Sequence, residues 1–170
     1  MLNKEVVALL NDQVNKEFFS AYLYLEISNY YNKEGLEGFA NWYYIQAQEE
    51  RDHAMLFVKY LQNNSEAVTL KQIEDPTSKF TDFKTPIEAA LKHEQFVTDS
   101  INNIYTAAAA VKEYRTMKFL DWFIEEQGEE EMNAENLISK YDLFATDGKG
   151  LYQLDADLAT RVHTPPSLVI

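Results

Sequence analysis

The chain has 170 residues, of which 46% are hydrophobic, with five glycines, four prolines and no cysteine. That length suits a single domain with a sizeable core, the few Gly and Pro favour long regular elements over turn-rich β structure, and the lack of cysteine excludes disulfides, iron–sulfur clusters and Cys-ligated zinc. Net charge is −13, from 28 acidic and 15 basic residues, so neither nucleic acid nor an anionic membrane is expected as a partner, while cations are attracted; with no run near about 18 apolar residues and no secretory pattern at the start, the chain reads as cytoplasmic.

The first segment, about residues 4–33, places Val6, Leu10, Val14, Glu17, Ala21, Tyr24 and Ser28 on one helical face. This is an apolar stripe interrupted by one carboxylate. Tyr24, two turns from Glu17 on that face, is either a packed core tyrosine or a hydrogen-bond donor beside the site that is able to supply an electron. Glu34-Gly35 breaks the pattern, and so short a link returns the second segment, about 36–63, antiparallel to the first. Its stripe is Leu36, Phe39, Tyr43, Ala47, Glu50, Ala54, Phe57 and Leu61, again with one carboxylate. His53 follows one turn later, so Glu50 and His53 point together. A carboxylate in a core costs several kcal/mol unless it is paired or holds a metal; pairing with His53 would suffice, and a lone Glu-x-x-His decides nothing.

Residues 64–84 lose the helical period and carry Asn, Ser, Thr, Asp and Pro76. A connection of roughly 20 residues inside a domain needs a reason. At about 3.3 Å per residue it spans up to roughly 65 Å, more than the roughly 42 Å of a helix of about 28 residues. It can therefore run the length of a bundle and make the third segment, about 85–110, parallel to the second. Thr85-Pro86-Ile87-Glu88 opens that segment with capping-box spacing and an early proline, and Ile87, Leu91, Glu94, Val97, Ile101, Ile104 and Ala108 form its stripe.

The fourth segment, about 113–143, turns Met117, Leu120, Ile124, Gln127, Glu130 or Glu131, Ala134, Leu137 and Tyr141 inward, with Gln127 and Glu130 one turn apart at the interruption. Glu125 and Glu131 in the surrounding acidic run read as solvated face. Asp147-Gly148-Lys149-Gly150 stops the helix, and Leu151, Leu154 and Leu158 mark a short fifth helix, about 150–160. Residues 161–170, with Pro165-Pro166, are a tail without a regular period.

The midpoints of the four long segments fall near residues 18, 50, 96 and 128. With a rise of about 1.5 Å per residue, Glu17, Glu50 with His53, Glu94, and Gln127 with Glu130 share one layer of the bundle. Four carboxylates cannot crowd a dry volume as free ions. Either some are protonated or cations fill the site, and two divalent ions would balance four carboxylates. Oxygen ligands with a single nitrogen suit iron or manganese and tolerate zinc. The central Glu50 is the natural bridge, Glu17 and His53 would complete one metal, Glu94 and Glu130 the other, and Gln127 would hydrogen-bond water or dioxygen.

These residues carry a resemblance over nearly the whole chain. Asn15-Lys16-Glu17-Phe18-Phe19, Ala47-Gln48-Glu49-Glu50-Arg51-Asp52-His53, Lys92-His93-Glu94-Gln95 and Glu125-Glu126-Gln127-Gly128-Glu129-Glu130-Glu131, with the crossover and the short fifth helix, resemble a bacterial non-haem ferritin. The resemblance implies an all-α, ferritin-like four-helix bundle with one long crossover between the second and third helices and a short C-terminal helix. It implies a ferroxidase that oxidises two Fe(II) with dioxygen and stores ferric oxide inside a 24-subunit shell. By position it gives Glu17, Glu50 and His53 to one iron, Glu50, Glu94 and Glu130 to the second, and Glu49, Glu126 and Glu129 to a third. Where bacterioferritins carry a second Glu-x-x-His this chain has Gln127-x-x-Glu130, which implies looser binding of the second iron. Asp52 stands where they place a haem-binding methionine, so no haem is expected, and Met55 reads as packing. The competing readings are a di-iron oxidase acting on an organic substrate and a metal-free bundle with internally satisfied acids.

Overall fold

Local sequence signals set where each helix starts and stops. The computed structural model describes residues 2–76 and 79–170, so Met1 and, within the crossover, Thr77 and Ser78 lie outside the described residues. Among these the elements are α1 (Lys4–Lys33), α2 (Glu37–Asn63), α3 (Thr85–Ala110), α4 (Tyr114–Phe144) and α5 (Gly148–Leu158), with no strand. The Asn3 side chain accepts from Glu5 N at 2.9 Å and caps α1. Gly35, at φ 81°, lets the chain turn back through the Leu36 N to Tyr31 O bond that closes the helix end. Leu36 caps α2 and so stands just outside it. The start of α3 differs from the capping-box expectation: the capping acceptor is Asp82 Oδ1, which takes Lys84 N, Thr85 N and Thr85 Oγ1 at 2.7–2.9 Å. Asp147 Oδ1 accepts from Gly150 N at 2.8 Å, and its capping starts α5 two residues before the position read from the leucines.

The crossover is held to α1 by asparagine side chains that act as a surrogate strand. Asn11 bonds Ala67 O and Thr69 N, and one turn further Asn15 bonds Thr69 O and Lys71 N, all at 2.6–3.1 Å. At the other end of α1, the Tyr31 hydroxyl donates to Phe83 O at 2.6 Å. The connection therefore climbs the full height of α1, and α3 starts at the end where α2 began. In packing, α1 pairs with α2, α3 with α4, and α1 also meets α3. Between α2 and α4 the space is filled by rings: Phe57 against Phe119 and Phe123, and Tyr60 stacked on Phe119 at 4.1 Å. Two inward positions differ from the apolar pattern. Phe119 and Phe123 turn α4's core face so that Ile124 is exposed, and Met55 is about half exposed instead of packed.

The apolar core is two clusters. One gathers Val6, Leu10, Leu61, Ile101, Ile104 and Phe123 with their neighbours, the other Ile27, Tyr31, Phe39, Tyr43, Ile87 and Leu137. Between them lies a layer of polar side chains, and α5 closes the far end against α2 and α4. Residues 161–170 have no regular structure, yet they are tied down: Trp122 Nε1 donates to Ser167 Oγ at 3.0 Å, and Leu168 and Ile170 pack on the first cluster.

The seat of α5 depends on one glycine. Phe39 N donates to Asp155 Oδ1 at 2.9 Å, and a Cβ built on Gly38 would lie 1.6 Å from the Asp155 backbone carbonyl oxygen. Backbone cannot swing aside as a flexible side chain can. Gly38→Ala is therefore expected to lever α5 off α2 at a cost of about 1–3 kcal/mol, seen as a fall of several degrees in thermal midpoint. An unchanged midpoint would mean that α5 does not sit on Gly38.

Candidate metal centre

Each long helix contributes to the polar layer within about one turn of its midpoint, so the acids meet because the helices are of similar length and packed side by side. Glu17, Glu50, His53, Glu94, Gln127 and Glu130 are all at most 7% exposed. Glu17, Glu50 and His53 form the tight part: one ligand atom from each lies within 4.8 Å of the others. His53 Nδ1 stands 3.6 Å from Glu50 Oε2, an ion-pair separation that is too long for a hydrogen bond.

Two amides support these acids. Gln13 Nε2 donates to Glu17 Oε1 at 2.8 Å, and Gln46 Nε2 donates to Glu50 Oε1 at 3.2 Å. The orientation of Gln13 is fixed from behind. Lys16 can only donate, so Ser100 accepts its proton at 2.7 Å and gives its own hydroxyl proton to Gln13 Oε1 at 2.6 Å. That leaves the Gln13 NH2 group for Glu17. Among the described residues, Glu17 Oε2 is a buried side-chain oxygen with no hydrogen-bond partner. An unpartnered buried polar oxygen costs free energy, and the Glu17 carboxyl stands with Glu50 and His53, where a cation would satisfy it.

The other half of the layer is more internally satisfied. The Tyr24 hydroxyl donates to Glu94 Oε1, and Gln127 Nε2 donates to Glu94 Oε2 at 3.1 Å. Tyr24 is thus both packed in the core, against Tyr43, and hydrogen-bonded to the site, so packing and hydrogen bonding there are not exclusive. Glu94 and Glu130 share the wall of one small cavity with Tyr24 and Gln46. They are not within the tight cluster, so any cation held by Glu94 would have to draw it partly away from its two donors.

Crowding shows in the protonation states. Burial, and then the charge of Glu50, pushes the Glu17 carboxyl up to about 8. Burial, and then Glu50, likewise pushes Glu130 up to about 7. Glu94 is raised well above the carboxylate range by burial and by the charges of Glu50 and Glu130. Burial works against charge on Glu50 and His53 as well, but their pairing outweighs it: Glu50 falls below its ordinary value and His53 rises to about 10. Glu50 and His53 are thus favoured as an ion pair, while the acids around them are pushed toward their protonated forms.

The three outer acids are arranged differently. Glu126 Oε1 stands 3.9 Å from His53 Nε2 and lines, with Glu49 and Glu129, a pocket of about 300 Å³ on the far side of the imidazole from Glu50. Glu129 is exposed and Glu126 half-buried. Glu49 is already taken, by the Arg161 guanidinium at 2.5 Å. Asp52 pairs with His163 at 3.0 Å. Reading of the sequence missed Gln13, Gln46 and Arg161. The two glutamines each precede a buried glutamate by four residues, a shared Gln-x-x-x-Glu spacing that was there to be seen, whereas nothing local marks Arg161.

Residues 7–144 match the model of the ferritin-like domain. The chain is 37% identical over 158 residues to a probable bacterial non-heme ferritin-like protein of Haemophilus influenzae, covering 93% of this chain and 96% of that one. It is 38% identical over 155 residues to a bacterial non-heme ferritin of Campylobacter jejuni, covering 91% and 93%. Among solved structures, an open-pore ferritin of the archaeon Archaeoglobus fulgidus superimposes with a TM-score of 0.93 at 35% identity, over 95% of this chain and all of that one. A humanized archaeal ferritin gives 0.95 at the same identity, over 97% and 100%.

If Gln13 holds Glu17 for a cation, Gln13→Leu should weaken binding of the first equivalent of Zn(II) by roughly 10–100-fold, measured by calorimetric titration of metal-free protein. Unaltered affinity would reduce Gln13 to a packing residue.

Proposed function

Because the chain belongs to the ferritin family, we propose that it is a cytoplasmic iron-storage protein. It oxidises Fe(II) with dioxygen at the buried layer and deposits the Fe(III) as hydrated oxide inside a 24-subunit shell of identical chains. The observation that carries this reading is the convergence of Glu17, Glu50 and His53, one ligand atom of each within 4.8 Å of the others, on a buried Glu17 whose Oε2 has no hydrogen-bond partner.

Fe(II) is the substrate. Glu17, Glu50 and His53 take one ion and Glu50, Glu94 and Glu130 the other, so that Glu50 lies between them. Each ion gives one electron to dioxygen, which takes up two of the protons released on binding and is reduced to the peroxide level, and holding the two ions side by side lets both electrons leave from one place. The protein's part is proton and charge management. Binding expels the protons kept by Glu17, Glu94, Glu130 and His53, since only the deprotonated forms are ligands. Fe(III), with its higher charge, then draws water oxygens in. The hold on the second ion is loosened by Tyr24 and Gln127, which compete for Glu94, and this suits a substrate that must move on. Glu49, Glu126 and Glu129 form the proposed third station. The small cavity beside Glu94 is hemmed in by Tyr24, Tyr43 and Leu137, which favours ions and dioxygen over an organic substrate.

Adding Fe(II) in air to metal-free protein should give a soluble, electron-dense core in a particle of roughly 470 kDa, which is 24 copies of a 19.7 kDa chain. Monomers or dimers in sedimentation, or iron precipitating outside protein, would overturn storage. Replacing both Glu50 and His53 by Ala should slow oxidation by more than the roughly 10–100-fold typical of losing an outer partner, with the shell intact. Oxidation at the original rate would place the chemistry elsewhere.

A further inference from the structure

Arg161 lies beyond the residues 7–144 that match the family model, three residues after α5 ends at Leu158. Its guanidinium reaches back to the metal centre. Nη2 stands 2.5 Å from Glu49 Oε2, while Nη1 donates to Gln46 Oε1 at 2.9 Å and to Trp42 O at 3.3 Å. The group sits over Trp42, with Cζ 4.2 Å from the ring centroid. With side-chain exposures of 16% for Arg161 and 17% for Glu49, this pair is shielded from the screening that makes surface pairs weak.

Two consequences follow from the chemistry of the guanidinium. It only donates, so Gln46 must present its oxygen to Arg161 and its NH2 to Glu50, the carboxylate between the two proposed iron positions. It is also a permanent cation, and it rests on one of the three acids that face the pocket behind His53. The tail that follows is fastened over that pocket by the His163–Asp52 and Trp122–Ser167 contacts, so Arg161 is held in place at both sides.

The geometry points to Arg161 as a positioning residue that orients Gln46 on Glu50 and keeps Glu49 paired, so that the station at Glu49, Glu126 and Glu129 accepts a cation only when the guanidinium leaves. The inference rests on the iron-storage reading for the identity of the ion, and on the contacts above for the rest. It makes the outer station a gated one: an ion entering there must displace an arginine already carrying the compensating charge.

The test is an anaerobic calorimetric titration of assembled, metal-free protein with Fe(II), repeated with redox-inert Zn(II). In Arg161→Gln the third equivalent should bind about tenfold or more tightly than in the unaltered chain, as expected when a charge-assisted bond no longer competes. Adding Glu49→Gln to Arg161→Gln should abolish that gain, because the freed ligand is then gone. A merely structural arginine would give weaker binding on removal, so equal or lower third-ion affinity in Arg161→Gln overturns the proposal. The first two equivalents report the inner pair separately, and their absence would count against the iron-storage reading alone. A crystal of the unaltered protein soaked in Zn(II) tests the same point without a variant. An ion on Glu49 should coincide with Arg161 swung clear, and an ion seated there with the 2.5 Å pair intact would contradict the gate.

Discussion

Like charges brought together in a dry layer are the constraint that the rest of this molecule serves. Glu17, Glu50, Glu94 and Glu130 come from four different helices and are all buried at one height. Their mutual repulsion and lost hydration would each cost several kcal/mol if every group stayed ionised. Crowding pushes Glu17, Glu94 and Glu130 toward their protonated forms and favours Glu50 charged against a protonated His53.

The bundle around the layer is built to hold it open. Aromatic and aliphatic clusters above and below supply the burial that drives folding. The acids are steadied by amides whose orientation is imposed by a cation behind them. Lys16 acts through Ser100 and Gln13 on Glu17, and Arg161 acts through Gln46 on Glu50. In both chains the lysine or arginine stays at the rim, and only a neutral amide enters the core. Positive charge is thereby brought near the acids without occupying the space between them.

Much of this was legible in the sequence because helix periodicity and helix length are local properties. The stripes interrupted at Glu17, Glu50, Glu94 and Gln127 with Glu130 place those residues inward, and the lengths of the segments place them level. The helical bundle with its long crossover follows from the same reading, and the ferritin-like identity of that bundle from the motifs that resemble the family. What escaped has long-range causes. Asp82 displaced Thr85 as the cap of α3 because the preceding turn brings its carboxylate to the helix end. Phe119 and Phe123 outcompeted Ile124 for the interior because the gap opposite α2 takes rings. Arg161 sits in a stretch with no periodic signal, and its contacts with Glu49 and Gln46 span more than 110 residues.

The count of protons released when metal enters tests the central constraint most directly. Anaerobic binding of Fe(II) to metal-free protein at about pH 6.5, followed by calorimetry in two buffers of different ionisation heat, gives that count per subunit. With Glu17 held up to about 8, His53 to about 10 and Glu94 well above the carboxylate range, filling the pair should release more than about two protons. Release of fewer than about one would mean that the acids are already ionised without metal, and that the layer is not the dry, crowded place from which the proposed chemistry derives.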